Sequence, residues 1–346
     1  MKANNITQSF KVLTASFAVF VGLSASWSEV VQGYFTETET EDVIEESTKA
    51  TSGAVIEHVV STVNTHVRKL GGGVGGAFNI RKAEGYALGL SAGDSSAGYA
   101  IWYTPSYSDF ENNGAVKVGG DYDGTLTTHL FGVDAVLNSD MVFGATLGYE
   151  TNDTKFDNNS KSDADGYIFA LYGAYNVSSA ATLYLNAGMI NQDNDLDDYS
   201  TGALATGDFD SDTLFANIGV MRTMDLGDDT YLTMDGSYSY ADTESDSYTD
   251  SLSRRIDSSK SYISEFYVNS ELAKGASWGE YFGTVGVRFD LTSDSEYDNG
   301  DIGVDLGMGV RFNPTDNITG DVAIKKLFLQ KDEENVTISA NIRYEF

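Results

Sequence analysis

Polar and apolar positions alternate one by one over most of this chain. At the C-terminus, Val336, Ile338, Ala340, Ile342, Tyr344 and Phe346 fall on one side of an extended strand. Thr337, Ser339, Asn341, Arg343 and Glu345 fall on the other. Upstream, Ile302, Val304, Leu306, Met308, Val310 and Phe312 oppose Gly303, Asp305, Gly307, Gly309 and Arg311 in the same way. Tyr281, Val285, Val287, Phe289 and Leu291 share one face of a further segment, and Tyr167, Phe169, Leu171, Tyr175 and Val177 one face of another. Twelve such strands are predicted, at roughly 97–108, 124–138, 141–151, 165–177, 181–192, 212–225, 229–241, 261–273, 278–292, 301–313, 316–329 and 335–346. Each reaches the roughly 9–11 residues that a tilted strand needs to cross a bilayer. Soluble strands average about 5–6.

One stretch breaks the period of two. In residues 52–70, Val55, Ile56, Val59, Val60, Val63, Val67 and Leu70 recur every third or fourth position, the stripe of an amphipathic helix. Ser52 suits its N-cap, Arg68 and Lys69 suit the negative end of its dipole, and Gly71 to Gly73 stop it. His58 and His66 lie two turns apart on that helix, too far along the axis to share a metal ion.

Ahead of the helix, Lys2 and Lys11 bracket the approach to an apolar run from Val12 to Leu23, followed by the small residues Ser24, Ala25 and Ser26. Residues 1–28 therefore read as an export signal, since the run is shorter than the roughly 20 residues of a spanning helix. Residues 29–52 are acidic and poor in apolar side chains and read as a flexible spacer. The expected organisation is signal 1–28, spacer 29–52, helix and Gly-rich lead-in 53–96, and barrel 97–346.

Composition narrows the function classes. Among 346 residues, 21 Lys and Arg face 52 Asp and Glu, a formal charge of -31 that repels phosphate and excludes a nucleic-acid binder. The absence of Cys removes disulfides, thiolate metal sites and Cys nucleophiles together. With 36 Gly, 2 Pro and 12% aromatic residues, the composition is that of an all-β chain.

Alternation alone fits a soluble barrel or an inverted, lipid-facing one; strand length, the export signal and the loops favour the second. The polar face then lines a lumen, where Asp134, Asp235, Glu265, Asp290, Asp305 and Asp321 are expected to pair with Arg288, Arg311, Lys325 and Arg343. Connections near 109–123, 152–164, 193–211, 242–260 and 293–300 read as long, and those near 139–140, 178–180, 226–228, 274–277 and 314–315 as two to four residues. Only the last long-side connection, near 330–334, is short. Tight turns on the periplasmic side and long loops outside are the outer-membrane pattern. The long loops are acidic but lack EF-hand spacing, so solvation explains them without a bound cation.

In sequence order, the helix, the Gly-rich passage, LSAGDSSAGYAIWYTPSYSDFENN, FGVDAVLNSDMVFGATLGYETNDTKFD and DADGYIFALYGAYNVSSAATLYLNAG resemble the C-terminal translocator barrel of the autotransporter (type V secretion) family. The resemblance covers residues 53–346. It implies a twelve-stranded antiparallel outer-membrane β-barrel with the helix in its lumen, Val55, Val59, Val63 and Val67 forming the helix stripe and Arg68 and Lys69 meeting lumen acids. It also implies that Ile342, Tyr344 and Phe346 form the signal read by the barrel-assembly machinery, with Asn341 standing where that signal usually has Gly. The implied partners are periplasmic chaperones, outer-membrane lipid and lipopolysaccharide, with the barrel a monomer and no cofactor.

Residues 29–52 are too few to fold alone, so the expected protein is a helix-plugged barrel without a large passenger. The paired Asn of self-cleaving members is absent around Asn64, so no autoproteolysis is expected. The alternative readings are a cation-preferring channel and an outer-membrane hydrolase. The second is disfavoured: His129 has no Ser beside it on its face, and GDSSAG at 93–98 is not a nucleophile elbow because Ala97 replaces the last Gly.

Overall fold

The computed structural model describes residues 53–63, 98–113, 121–138, 140–178, 181–199, 203–291, 302–315, 317–328 and 333–346. The expected signal, the spacer, the lead-in and the helix positions beyond 63, Val67, Arg68 and Lys69 included, lie outside the described residues.

Helix α1 covers residues 53–63. Then come β1 (Gly98–Asn112), β2 (Tyr122–Asn138), β3 (Met141–Phe156), β4 (Lys161–Ser178), β5 (Ala181–Asp198), β6 (Ala205–Gly227) and β7 (Thr230–Ser245). A two-residue pair follows, β8 (Tyr248–Thr249) and β9 (Arg255–Ile256). The chain finishes with β10 (Ser259–Ala276), β11 (Gly279–Asp290), β12 (Ile302–Phe312), β13 (Ile318–Phe328) and β14 (Glu333–Glu345). All but β8 and β9 close into one twelve-stranded antiparallel barrel, in which β7 pairs β10 directly and β1 pairs β14 at the seam. Closure leaves no free sheet edge, the condition for placing strands in lipid.

The faces are inverted relative to a soluble barrel. Phe131, Leu147, Leu171, Leu185 and Met308 point outward and are exposed, whereas Arg343, Asp134, Glu150 and Asp305 point inward and are at most 2% exposed. Aromatic rings bound the apolar surface: Tyr99 and Tyr107 on β1, and Tyr175 and Tyr167 on β4, are all exposed outward. Each pair is eight residues apart, about 26 Å along a strand. With strands tilted about 35–45°, that projects to roughly 20 Å across the bilayer, near the height of the apolar band between the aromatic girdles of outer-membrane barrels.

At one end, the short-turn end, strands are joined by two-residue turns such as 228–229 and 277–278. At the opposite, long-loop end the strands outrun the expected crossings. Residues 152–164 are mostly strand around a turn at 157–160, and the supposed loop 193–211 shrinks to 199–204. The period of two continues there with different chemistry: Asp208, Asp210 and Asp212 face out while Phe209 and Ser211 are buried within. Above the lipid, the outward positions no longer need to be apolar, so hydropathy fades while the backbone ladder goes on.

Candidate functional site

The lumen is the one interior this fold builds, and it has two unlike halves. From β1 to β6 its wall carries Leu126, Leu130, Ile168, Ala170 and Ile190, all at most 2% exposed. The stripe of α1 packs into that half: Val55, Val59 and Val63 are completely buried and join the same apolar cluster. The wall from β10 to β13 is ionic. It meets the opposite side of the helix through Glu57, whose carboxylate takes Arg288 at 2.6 Å and Lys325 beside it. Arg288 also reaches Glu265 at 3.2 Å. Below them Arg311 is held by Glu271 at 2.6 Å and by Glu280, and lies over the Phe282 ring.

The direction of the helix follows from its contacts. Gly53 lies against Ile263, four residues from the long-loop end of β10, and Glu57 meets Arg288 near that same end of β11. One residue later the His58 ring hydrogen-bonds the backbone of Thr104, midway down β1. α1 therefore enters from the long-loop end and runs toward the short-turn end.

Three of the expected lumen acids are held by tyrosines. Tyr172 donates to Asp134, Tyr184 to Asp235 at 2.7 Å, and Tyr267 to Asp305 at 3.0 Å. Each ring crosses the strand between donor and acceptor over a glycine: Gly144, Gly219 and Gly286 respectively. A Cβ at Gly144 or Gly219 would fall within the ring, so only glycine permits the reach. Asp134 also takes Arg343 of the terminal strand, which reaches Glu345 at 3.1 Å. Next to it Asn341 donates to Thr104 at 2.6 Å, so the last strand is tied to β1 and β2 by its lumen face. Of the other expected positions, Asp321 is buried and Asp290 is half-buried opposite Glu265 at the end of β11. Ile342, Tyr344 and Phe346 point outward beside the seam, the last two rings in edge contact at 5.0 Å. Sequence reasoning missed Glu57, Glu271, Glu280 and the three tyrosines. The available signal was a lone carboxylate inside the helix repeat and an aromatic residue on the otherwise polar face.

Between α1 and the ionic half lies a cavity of about 270 Å³. The carboxylates of Glu57, Glu111, Asp235, Glu265, Glu271 and Asp321 line it, against Arg288, Arg311 and Lys325. Among the described residues no group of three His, Cys, Asp or Glu is arranged to hold a metal ion. His129 is on the outer surface, where its Nδ1 shares a hydrogen bond of 2.7 Å with the Tyr103 hydroxyl.

The segment 246–258 folds over the long-loop end. Tyr248 stacks on Phe209 with centroids 5.3 Å apart, and Ile256 is buried in the apolar cluster. Arg254 anchors it to Asp198 at 3.2 Å and to Asp250. Burial draws the Asp250 carboxyl upward, but donation from the Arg254 backbone and guanidinium and from the Leu252 N–H outweighs it, so its pKa lies below the ordinary value near 3.8. A carboxyl depressed on folding stabilises above its unfolded pKa, and that contribution is lost as pH falls through the folded one. Hydroxyl-radical footprinting should find Tyr248 protected at pH 7 and labelled only once the pH falls well below the ordinary carboxyl value, with Arg254→Ala labelled already at pH 7.

Comparison with known proteins points to one family. The description "Autotransporter beta-domain" matches residues 101–264, from the first barrel strand into β10. That matched stretch, residues 101–264, has the sequence character of an autotransporter β-domain. The barrel resembles the translocator domain of the autotransporter NalP from Neisseria meningitidis, with a TM-score of 0.63 at 13% identity over 83% of this chain and 97% of that one. The β-domain of the Bordetella autotransporter BrkA gives 0.59 at 15%, over 72% and 99%. At these identities the two structures speak for the fold. Among sequences, Outer membrane protein B of Rickettsia rickettsii is 31% identical over 101 residues, 27% of this chain. Outer membrane protein B of Rickettsia japonica is 32% identical over 93. The matched stretches span only 6% and 5% of those proteins' lengths. The matched barrel stretch is thus similar to outer-membrane, type V secretion β-domains.

Proposed function

We propose that this β-domain is a helix-plugged outer-membrane translocator that carries the segment preceding residue 53 to the cell surface. The observation that supports this is the direction of α1, whose first described residue, Gly53, lies toward the long-loop end. In this reading residues 1–28 direct export, periplasmic chaperones carry the chain, and the assembly machinery reads Ile342, Tyr344 and Phe346 from the exposed side of the last strand. Lipid and lipopolysaccharide surround a single barrel. The lumen helix acts as a stopper, its valines against the apolar half and Glu57 latched to the ionic half.

An epitope inserted near Thr40 tests it. Antibody is expected to label intact cells bearing the protein in the outer membrane. Labelling only after permeabilisation would place the segment in the periplasm and overturn the reading. The cavity favours one second reading, a residual cation-preferring passage beside the helix. In planar bilayers that passage would appear as small, cation-selective steps from the intact chain.

A further inference from the structure

The cationic side chains of the lumen cavity are paired, while some of its buried acceptors are not. Arg288, Lys325 and Arg311 are all engaged by carboxylates, as described above. Facing them are three buried atoms without a hydrogen-bond partner: His58 Nε2, Ser237 Oγ and Asn269 Oδ1. Their residues are 8%, 2% and 9% exposed, and all three line the cavity. With its other nitrogen on the Thr104 backbone, neutral His58 presents Nε2 as an acceptor. Asn269 sits in a lumen row that runs Asp235, Asn269, Gly286, Asp305 across β7, β10, β11 and β12. Across Gly286, Asp305 Oδ2 is likewise buried and without a partner.

Buried acceptors left unsatisfied are costly. Water would supply hydrogens but no charge, while the lining holds six carboxylates against three cations. A molecule that meets both needs carries N–H donors and positive charge together. The volume accepts a small one, holding on the order of ten waters. Phe110 and Tyr122 offer apolar surface along the same wall for a methylene stem.

We infer that this cavity is a binding site for a small organic cation of the amine or guanidinium type, a linear aliphatic polyamine being the form that fits. His58, Ser237 and Asn269 accept from it, and the surplus carboxylates balance its charge. The same chemistry has a second source in this chain, the side chains of Arg68, Lys69, Arg81 and Lys82 further along the sequence.

Isothermal titration of the full chain in detergent micelles with spermidine separates the two sources, with magnesium as a cation that has no N–H to donate. Saturable binding of one spermidine per barrel, weakened tenfold or more by Ser237→Ala and by Asn269→Leu, is expected for a free ligand. Retained heat-modifiable migration on gels shows that each variant is folded, and Ser237→Ala, the milder change, serves if Asn269→Leu is not. Binding confined to the chain with Arg68, Lys69, Arg81 and Lys82 all changed to Gln would mean that the protein fills the site with its own cations. The inference is overturned if neither chain binds, if magnesium competes as well as spermidine, or if the folded variants bind unchanged.

Discussion

Arg343→Met is expected to be the most damaging single change in the barrel wall. Arg343 is 2% exposed on the last strand and pairs with Asp134 on β2, across β1. Removing one partner of a buried ion pair typically costs about 3–5 kcal/mol, because the other charge stays buried. The loss falls at the seam, where Asn341 and Thr104 make the neighbouring tie. The readout is the temperature at which the folded, fast-migrating form converts to the unfolded one on gels, which should drop sharply. Adding Asp134→Asn should restore more than half of the loss, since the stranded charge is then gone. A single variant that melts with the wild type would show that the ion pair contributes nothing to closure.

Glu57→Gln should have the largest effect on the lumen. Its carboxylate is shared by Arg288 and Lys325 and is the helix's ionic contact with the β11 and β13 wall. The site is half-buried, so the full cost of a buried pair is discounted to about 1–3 kcal/mol. That corresponds to a shift of roughly 5–150-fold in favour of the undocked helix. Planar-bilayer recordings should show larger and more frequent openings, with selectivity moved toward anions because two cations lose their shared partner. Deleting residues 53–63 should enlarge the openings further. Unchanged conductance in both variants would remove the helix as the stopper.

The twelve strands and their lipid-facing sides were legible because alternation is a local property. Ile342 against Arg343 announces two faces whatever the strand pairs with. Which lumen groups meet was not legible, because that is set by stagger between strands. Asp134 finds Tyr172 only because Gly144 between them leaves room, and nothing in the spacing of the three residues along the chain says so. Glu57 was hidden for another reason. A carboxylate beside an apolar helix stripe reads as solvent-facing, and its partners lie more than two hundred residues away on β11 and β13. The long-loop ends were misjudged because hydropathy reports the lipid, whereas the ladder of hydrogen bonds obeys only the backbone.

The continuation of β3 to β7 beyond the aromatic girdle makes the rim lopsided. From Tyr167 back to Lys161 the chain climbs six residues, about 20 Å along the strand. On the opposite side the strands themselves are shorter: β13 ends at Phe328, itself exposed outward. A bulky visitor such as an antibody or a neighbouring cell's surface meets the extended strands β3 to β7 first, at the turn 157–160. Epitopes and receptor contacts of this protein should therefore crowd on the β3–β7 side of the barrel.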